Sequence, residues 1–316
     1  MRLIKELIID IFKGGILIEK EKIAEYINGN TKITLYADGT KIRETDDNVF
    51  IPFFAENMDI KICNCCDRGC TYCHEGSTPD GKLGDILNET FINTLHPYQE
   101  IALGGGNVLQ HPDLIPFLYK LKELKVITNI TLNQYHFEQN FDKVYMMMKE
   151  KLFYGLGVSL ENPTKEFIKK IKRIPNAVIH VINGIVTEKD IKDLAYYSLK
   201  ILILGYKHLR RGNTWFKNKS SEIQSNQLWL KKNIEKILFQ FKVVSFDNLA
   251  IEQLDVKNLL TDEEWNLFYA GDDGSHTYYI DMVERKFAKS STASLDERYD
   301  LMDSVDSMFK KIQENK

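Results

Sequence analysis

The sequence lacks three features that would assign it at once to a broad class. It has no apolar run of the roughly 20 residues that a membrane-spanning helix needs, so we expect no membrane segment. It has no excess of basic residues, because its formal net charge is −3, which argues against an extended nucleic-acid surface. It has no internal repeat or low-complexity segment. Its 316 residues, 28% of them charged, are typical of a soluble globular protein.

Cysteine is absent before position 63 and after position 73. All five cysteines lie in the run CNCCDRGCTYC, at Cys63, Cys65, Cys66, Cys70 and Cys73. A chain of this length buries a core without disulfides, so we expect reduced thiols in a reducing compartment, by default the cytoplasm. The absence of cysteine beyond position 73 also excludes a thiolate-ligated metal cluster in the C-terminal part.

The last three cysteines have the spacing C-x3-C-x2-C. Three thiolates on a four-iron cluster leave the fourth iron open to a small molecule. On Cys66, Cys70 and Cys73, with Tyr72 before the last, the chain resembles the radical S-adenosylmethionine (SAM) enzymes. The resemblance implies one 4Fe-4S cluster held by these three cysteines, with SAM on the open iron. An electron from an external flavodoxin- or ferredoxin-like donor then cleaves SAM to methionine and a 5′-deoxyadenosyl radical, which abstracts hydrogen from a substrate.

Another interpretation of the cysteines is a zinc site. Cys63-x2-Cys66 and Cys70-x2-Cys73 are two pairs at ordinary zinc spacing. Only three residues separate the pairs, which leaves little chain to wrap around a tetrahedral ion. Cys63 and Cys65 have no place in the three-cysteine pattern, and Cys65 is a candidate hydrogen donor. A zinc or iron–sulfur module that senses redox state without catalysis therefore stays open as an alternative of another class.

A second motif lies roughly thirty residues after the cysteines. The segment 100–113, EIALGGGNVLQHPD, predicts a strand, a glycine turn and a helix. Glycine lets the backbone come close to a ligand. In the resemblance, Gly105 and Gly106 match the Gly-Gly-Glu motif that binds the SAM amino group, and Asn107 stands where glutamate is usual. An Asn oxygen still accepts a hydrogen bond from an ammonium, but without the charge that strengthens it.

Alternating strand and helix patterns predict an α/β fold. The resemblance implies a partial (β/α)6 TIM barrel in which the cysteine loop follows the first strand and the glycine turn the second. Both would then open on the face where all the strands end. The predicted strands are 59–62, 100–103, 126–133, 155–160, 177–186 and 200–204. The predicted helices are 88–95, 114–124, 137–152, 164–171, 188–197 and 223–241.

Two accessory regions flank this core. Residues 1–52 are predicted to hold a helix, Glu19–Ile27, and a hairpin of 33–36 and 41–43 around Asp38-Gly39. Residues 53–241 form the predicted barrel. Residues 242–316 form a predicted α+β cap with a strand at 242–246, a hairpin within 270–288 and a closing helix at 295–312. The hairpin resembles the one that opens a SPASM domain, without its cysteines.

Further SAM contacts are predicted at the strand ends. Ser159 and Glu161 end the fourth strand and match, in the resemblance, polar contacts to the SAM ribose and carboxylate. Asn133 ends the third strand, Tyr72 is expected to pack near the adenine, and Ile185 follows the fifth strand, where backbone approaches the adenine.

The sequence leaves the substrate open. A peptide or protein residue is the leading hypothesis, because the overall layout resembles the peptide-modifying members of the family. A nucleotide or other small metabolite is the alternative, since the basic loop 207–211 would suit a phosphate or carboxylate.

Overall fold

The computed structural model describes residues 21–47 and 49–314. The N-terminal region forms a three-stranded antiparallel sheet in the order β1-β2-β3. A ten-stranded sheet follows, in the order β10-β9-β8-β7-β6-β5-β4-β11-β12-β13. The strands are β1 Lys22–Asn28, β2 Thr31–Tyr36, β3 Lys41–Glu44, β4 Asn57–Cys63, β5 Glu100–Gly105, β6 Ile127–Asn133, β7 Gly155–Ser159, β8 Ala177–Ile182, β9 Lys200–Leu204, β10 Val243–Phe246, β11 Thr277–Asp281, β12 Lys286–Ala288 and β13 Tyr299–Asp300.

Helices connect the strands of the large sheet. The α-helices are α1 Leu114–Glu123, α2 Gln134–Gln139, α3 Phe141–Lys149, α4 Lys165–Ile171, α5 Glu188–Leu194, α6 Arg211–Leu238, α7 Asn248–Leu254, α8 Asp262–Phe268 and α9 Val305–Gln313. Four short 3-10 helices span Thr90–Thr94, Val108–Gln110, Val256–Leu259 and Leu295–Glu297. No helix in the described part of the chain is long and apolar enough to cross a membrane.

Strands β4 to β10 run parallel, and β11 adds to β4 in the same direction. Alternate residues of β6, β7 and β9 are fully buried, while those between them are only partly buried. This is the period of a strand whose two faces meet different surroundings. The buried side chains pack with helix residues such as Phe117, Phe137 and Phe167 in one large core. The other face lines a cavity described below.

The α/β class and the six predicted parallel strands are confirmed. The described strands do not close into a barrel: β10 pairs with β9 alone, and β13 pairs with β12 alone. The partial-barrel arrangement and the division at residues 52 and 241 stay predictions. The region beyond 241 contributes strands to both sides of the large sheet.

The predicted N-terminal helix is wrong where it can be compared, since Lys22–Asn28 is strand β1, paired with β2. The turn that follows β1 is Gly29-Asn30, and it joins β1 to β2 in a hairpin. Gly29 has φ of +64°, a conformation that glycine adopts without strain and that both helix ends and hairpin turns use. Residues 19 and 20 lie outside the described residues.

Other predicted helices differ in type or bounds: the segment 88–95 holds only the 3-10 helix Thr90–Thr94, and the helix predicted at 188–197 ends at Leu194. The segment 137–152 holds two helices that meet at Asn140. The predicted closing helix 295–312 is a 3-10 turn, the short strand β13 and then α9. Helix α6 begins at Arg211, twelve residues before the prediction, and contains a kink at Lys219. The hairpins at 33–43 and 277–288 and the strand at 243–246 are confirmed.

The tip of the β2–β3 hairpin lies against the amino ends of the parallel strands. The Tyr154 hydroxyl donates to the Tyr36 carbonyl at 3.0 Å, Asn176 Nδ2 to the Ala37 carbonyl at 2.9 Å, and Lys200 Nζ to the Asp38 carbonyl at 2.9 Å. These donors come from the starts of β7, β8 and β9. The small sheet therefore covers this end of the large one.

Candidate active site

The cysteine loop and the glycine turn are held together by backbone hydrogen bonds. The Gly106 N–H donates to the Cys63 carbonyl at 2.8 Å, and the Asn107 N–H to the Cys65 carbonyl at 2.7 Å. A Cβ added at Gly106 would lie 2.2 Å from the Cys65 carbonyl oxygen, and Gly105 has φ of +116°. The two glycines are therefore required for this close approach. The sequence predicted that both motifs meet at the carboxyl edge of the sheet, and they do.

The cysteine loop doubles back after its last thiol. The Cys73 N–H donates to the Cys70 carbonyl at 3.2 Å, and the Cys66 N–H to the Thr78 carbonyl at 2.8 Å. Arg210 and Arg211, at the start of α6, hold the returning chain by hydrogen bonds to the carbonyls of His74 and Ser77. Both arginines of the basic loop therefore bind carbonyls of the protein's own backbone.

All five thiols are free, and the three of the predicted motif are partly buried. Burial raises the pKa of Cys66, and the neighbouring Cys73 adds to the shift. Burial likewise raises the pKa of Cys70 to about 11, with Glu161, Cys73 and Cys66 contributing. Deprotonated thiols at these positions would therefore repel one another. A metal centre would relieve the repulsion, since it binds the deprotonated thiols and releases their protons.

The other two cysteines are engaged elsewhere. Cys63 is fully buried at the end of β4, and burial raises its pKa to about 11. The Cys65 thiol donates to the Pro79 carbonyl at 3.1 Å and to Gln110 Oε1 at 3.2 Å. The arrangement suits three thiolate ligands better than the four of a zinc site.

Two cavities flank the cysteine loop. The first, which we call the loop cleft, has a volume of about 630 Å³ and is lined by residues that include Arg68, Cys70, Tyr72, Glu161 and Ile185. The second, the central cavity, has a volume of about 780 Å³ and is bounded by strands β4 to β11. Gly105 and Ser159 line the central cavity.

An ion pair forms one wall of the loop cleft. Arg68 Nε and Nη2 donate to the two carboxylate oxygens of Glu161, each at 2.6 Å, and the guanidinium lies 5.2 Å from the centre of the Tyr135 ring. Burial alone would raise the pKa of Glu161, but the hydrogen bonds from Arg68 and Asn133 hold it below the usual range. Glu161, a predicted contact of SAM, is therefore ionised, and Arg68 already balances its negative charge.

Two predicted contacts lie between the loop and the sheet. Asn133 Nδ2 is 4.0 Å from Cys70 Sγ, and its Oδ1 accepts from the Tyr135 N–H at the start of α2. Asn107 is buried, and its Oδ1 accepts from the Leu109 N–H at 3.2 Å. That oxygen is thus already used in capping a short helix.

Sequence analysis missed a histidine beside the loop. A His136 ring nitrogen, an Asp67 carboxylate oxygen and Cys66 Sγ lie within 4.8 Å of one another, a set that could hold a metal ion. His136 Nε2 is 2.8 Å from Asp67 Oδ1. The sequence did hold one indication of this residue, namely its place in the chain. His136 follows the carboxyl end of β6, and in parallel α/β folds the polar side chains at that end of the strands form the sites.

Sequence analysis also missed a buried ionic network that joins the loop to β11. Lys61 Nζ lies 2.9 Å from Glu75 Oε2 and 3.1 Å from Asp281 Oδ2, and all three residues are buried. Buried charges of this kind require their partners. The network fixes the position of the segment that follows Cys73.

Comparisons with known proteins show the fold. No protein-family model matches the sequence, and no curated protein matches it. Among solved structures, SuiB of Streptococcus suis bound to the precursor peptide SuiA has a TM-score of 0.52 at 14% identity, covering 76% of this chain and 60% of that one. SuiB bound to SAM has a TM-score of 0.54 at 12% identity, covering 84% and 80%. This chain therefore spans less than two thirds of the SuiB chain in the peptide complex, and at these identities it shares the fold of SuiB.

Proposed function

We propose that this chain is a radical SAM enzyme that acts on a peptide. The observation that carries the proposal is the set of three free thiols, Cys66, Cys70 and Cys73, on one loop at the carboxyl edge of the sheet, with Cys70 lining the loop cleft. The likeness in fold to SuiB, solved with SAM and with a precursor peptide, supports it.

The donor set fits a cluster with one open iron. Cys66, Cys70 and Cys73 would hold a 4Fe-4S cluster, because Cys63 and Cys65 are directed to other partners. When bound, the cluster supplies the electron that cleaves SAM, and an external flavodoxin- or ferredoxin-like protein would deliver that electron. The free thiols require a reducing compartment such as the cytoplasm.

The predicted SAM contacts divide between the two cavities. Tyr72, Glu161 and Ile185 in the loop cleft would hold the adenosyl part. The glycine turn and Asn107 would hold the methionine end, and Ser159 the ribose or carboxylate. Asn133 would hold the side chains of Cys70 and Glu161 in place, because it contacts both of them. The substrate would enter the central cavity, with the region 242–316 as its cap.

The test is SAM cleavage. The protein is purified without oxygen, reconstituted with iron and sulfide, and given SAM and dithionite, and 5′-deoxyadenosine is measured by mass spectrometry. We expect the product to fall by at least about 100-fold in Cys66→Ala, since each ligand of a metal centre is essential. The matched control is Cys65→Ser, which should keep its iron and cleave SAM as the wild type does. Equal product from wild type and Cys66→Ala would contradict the proposal.

A second candidate function is a metal-binding module without catalysis. Cys66, Asp67 and His136 favour it, since thiolate, carboxylate and imidazole are all zinc ligands. It predicts one zinc per chain in protein purified without added metal, loss of that zinc in His136→Ala, and no 5′-deoxyadenosine. Iron retained by His136→Ala would exclude it.

A further inference from the structure

Gln134 is a buried amide beside the predicted SAM contact Glu161. It is the first residue of α2, directly after β6 ends, and is 3% exposed. Its Oε1 accepts from the N–H groups of Glu161 and Asn162, each at 2.9 Å. Its Nε2 donates to the Asn162 carbonyl at 2.7 Å and to Glu138 Oε2 at 3.2 Å. A primary amide offers two acceptor and two donor positions, so these contacts use the whole hydrogen-bonding capacity of the side chain.

Three of these hydrogen bonds hold the turn that follows β7. The ends of β6 and β7 are neighbours, because Asn133 pairs with Ser159 in the sheet. Beyond them, the Leu160 N–H still donates to the His180 carbonyl on β8, at 2.9 Å. The next two N–H groups along the chain donate to Gln134 instead. Gln134 therefore fixes the turn at the point where the hydrogen bonds of the strand end.

The turn carries a side chain that reaches the cysteine loop. Glu161 accepts two hydrogen bonds from Arg68, each at 2.6 Å, and Arg68 lies between Cys66 and Cys70 in the sequence. Glu161, Asn162, Arg68 and Cys70 all line the loop cleft. A shift of the turn would therefore move one wall of the cleft and pull on the loop that carries the thiols.

The neighbours of Gln134 in the chain contact the cysteine loop directly. Asn133 Nδ2 lies 4.0 Å from Cys70 Sγ, and His136 Nε2 lies 2.8 Å from Asp67 Oδ1. These two contacts hold the cysteine loop, whereas Gln134 holds the turn that the loop meets. One short segment at the junction of β6 and α2 therefore orients both parts of the cleft.

We propose that Gln134 is a positioning residue for SAM binding, which acts by holding Glu161 in the loop cleft. The inference rests on the proposed function, in which Glu161 contacts SAM. A binding side chain is effective only when its own position is fixed by the residues behind it. Arg68 fixes the carboxylate of Glu161 and Gln134 fixes its backbone, so the side chain is held at both ends before SAM arrives.

The experiment measures the affinity of the cluster-loaded protein for radiolabelled SAM, by equilibrium dialysis without oxygen or reductant, so that SAM is not consumed. Gln134→Met removes all four hydrogen bonds but keeps an unbranched side chain of similar volume. We expect SAM to bind at least about fivefold more weakly, because two N–H groups of the turn lose their partner. The matched control is Gln139→Met, an exposed glutamine at the other end of α2, which should bind SAM as the wild type does.

A double-mutant cycle separates positioning from general destabilisation. Glu161→Ala should itself weaken SAM binding. In that background Gln134→Met should weaken binding by less than about twofold further, because a residue that acts through Glu161 has no effect once Glu161 is gone. Iron content and the urea midpoint of each variant show whether the cluster and the fold are intact. Gln134→Asn keeps the amide but shortens its reach, and it gives the same test with a smaller change should Gln134→Met fail to fold.

The outcomes distinguish this inference from the proposed function. Wild-type affinity for SAM in the folded Gln134 variants, or in Glu161→Ala, overturns the positioning role, and so do losses that multiply in the double variant. The proposed function survives each of these results, since it depends on SAM cleavage by the wild type. A cluster-loaded wild type that neither binds SAM nor forms 5′-deoxyadenosine would overturn both.

Discussion

The two ends of the parallel strands differ in how far their polar groups are already satisfied. At the amino end, three carbonyls of the β2–β3 hairpin tip each accept a hydrogen bond from a side chain of the large sheet. At the carboxyl end, the thiols of Cys66, Cys70 and Cys73 are free, and Cys70 lines the loop cleft. The polar groups of the amino end are therefore satisfied within the protein, whereas the carboxyl end leaves thiols available to a ligand.

Ion pairs follow the same division. At the amino end, Glu56 is 2% exposed and receives Lys41 and Arg43, so its charge is fully compensated within the protein. At the carboxyl end, the pair of Arg68 with Glu161 is more open, with 40% and 20% of the two side chains exposed.

The largest effect is expected from substituting Gly106 by alanine. The new Cβ would meet the Cys65 carbonyl at 2.2 Å, so the glycine turn and the cysteine loop must separate, at a cost of about 2 kcal/mol of unfolding free energy. We expect 5′-deoxyadenosine formation to fall at least about tenfold, because misplacement of about 1 Å costs far more than that in rate.

Gly104→Ala is the matched control for this variant. A Cβ at Gly104 has no neighbour within 4 Å, so urea unfolding and SAM cleavage should stay close to those of the wild type. Equal losses in the two variants would contradict the argument that close approach sets the requirement for glycine.

The next effect concerns acid stability at the amino end. Burial alone would raise the pKa of Glu56, but Lys41 and Arg43 outweigh it and hold the pKa below the ordinary 4.5. The stabilisation is therefore fully present above about pH 4.5 and is lost as the pH falls through the lowered pKa. Glu56→Gln should lose roughly 2 kcal/mol at pH 7 and show a flatter dependence of the urea midpoint between pH 6 and 3.

The control for Glu56 is Glu284→Gln. Glu284 is exposed in the turn between β11 and β12, and its variant should follow the wild-type curve across the same range. A Glu56→Gln protein with the wild-type pH dependence would show that this buried pair does not set acid stability.

The smallest effect is expected where the hairpin tip meets the sheet. Tyr154→Phe removes one hydrogen bond, to the Tyr36 carbonyl, and should lower the unfolding free energy by about 1 kcal/mol without changing iron content. Tyr119→Phe removes a hydrogen bond from a tyrosine that is 44% exposed and should cost under about 0.5 kcal/mol. A fall in iron content in Tyr154→Phe but not in Tyr119→Phe would show that the amino and carboxyl ends of the parallel strands are coupled. It would contradict the separation of the two ends described above.

The errors of sequence analysis have a common cause. An Asn-Gly pair such as Asn28-Gly29 occurs both at the end of a helix and in a hairpin, and the pairing of β1 with β2 decides between them. The split of the predicted helix 137–152 at Asn140 and the early start of α6 at Arg211 likewise follow from tertiary contacts. Local pattern indicates that an element exists, but its partners fix its type and bounds.

The sequence by itself determined where the six parallel strands lie along the chain and which two loops follow the first two of them. It did so because strand period and loop position are local, and because the carboxyl ends of parallel strands lie on one face. Only the tertiary structure brought Arg68 to Glu161, His136 to Asp67 and Lys61 to Asp281. These partners lie between 69 and 220 residues apart where a hydrogen bond joins them, and no local pattern records a contact at that separation.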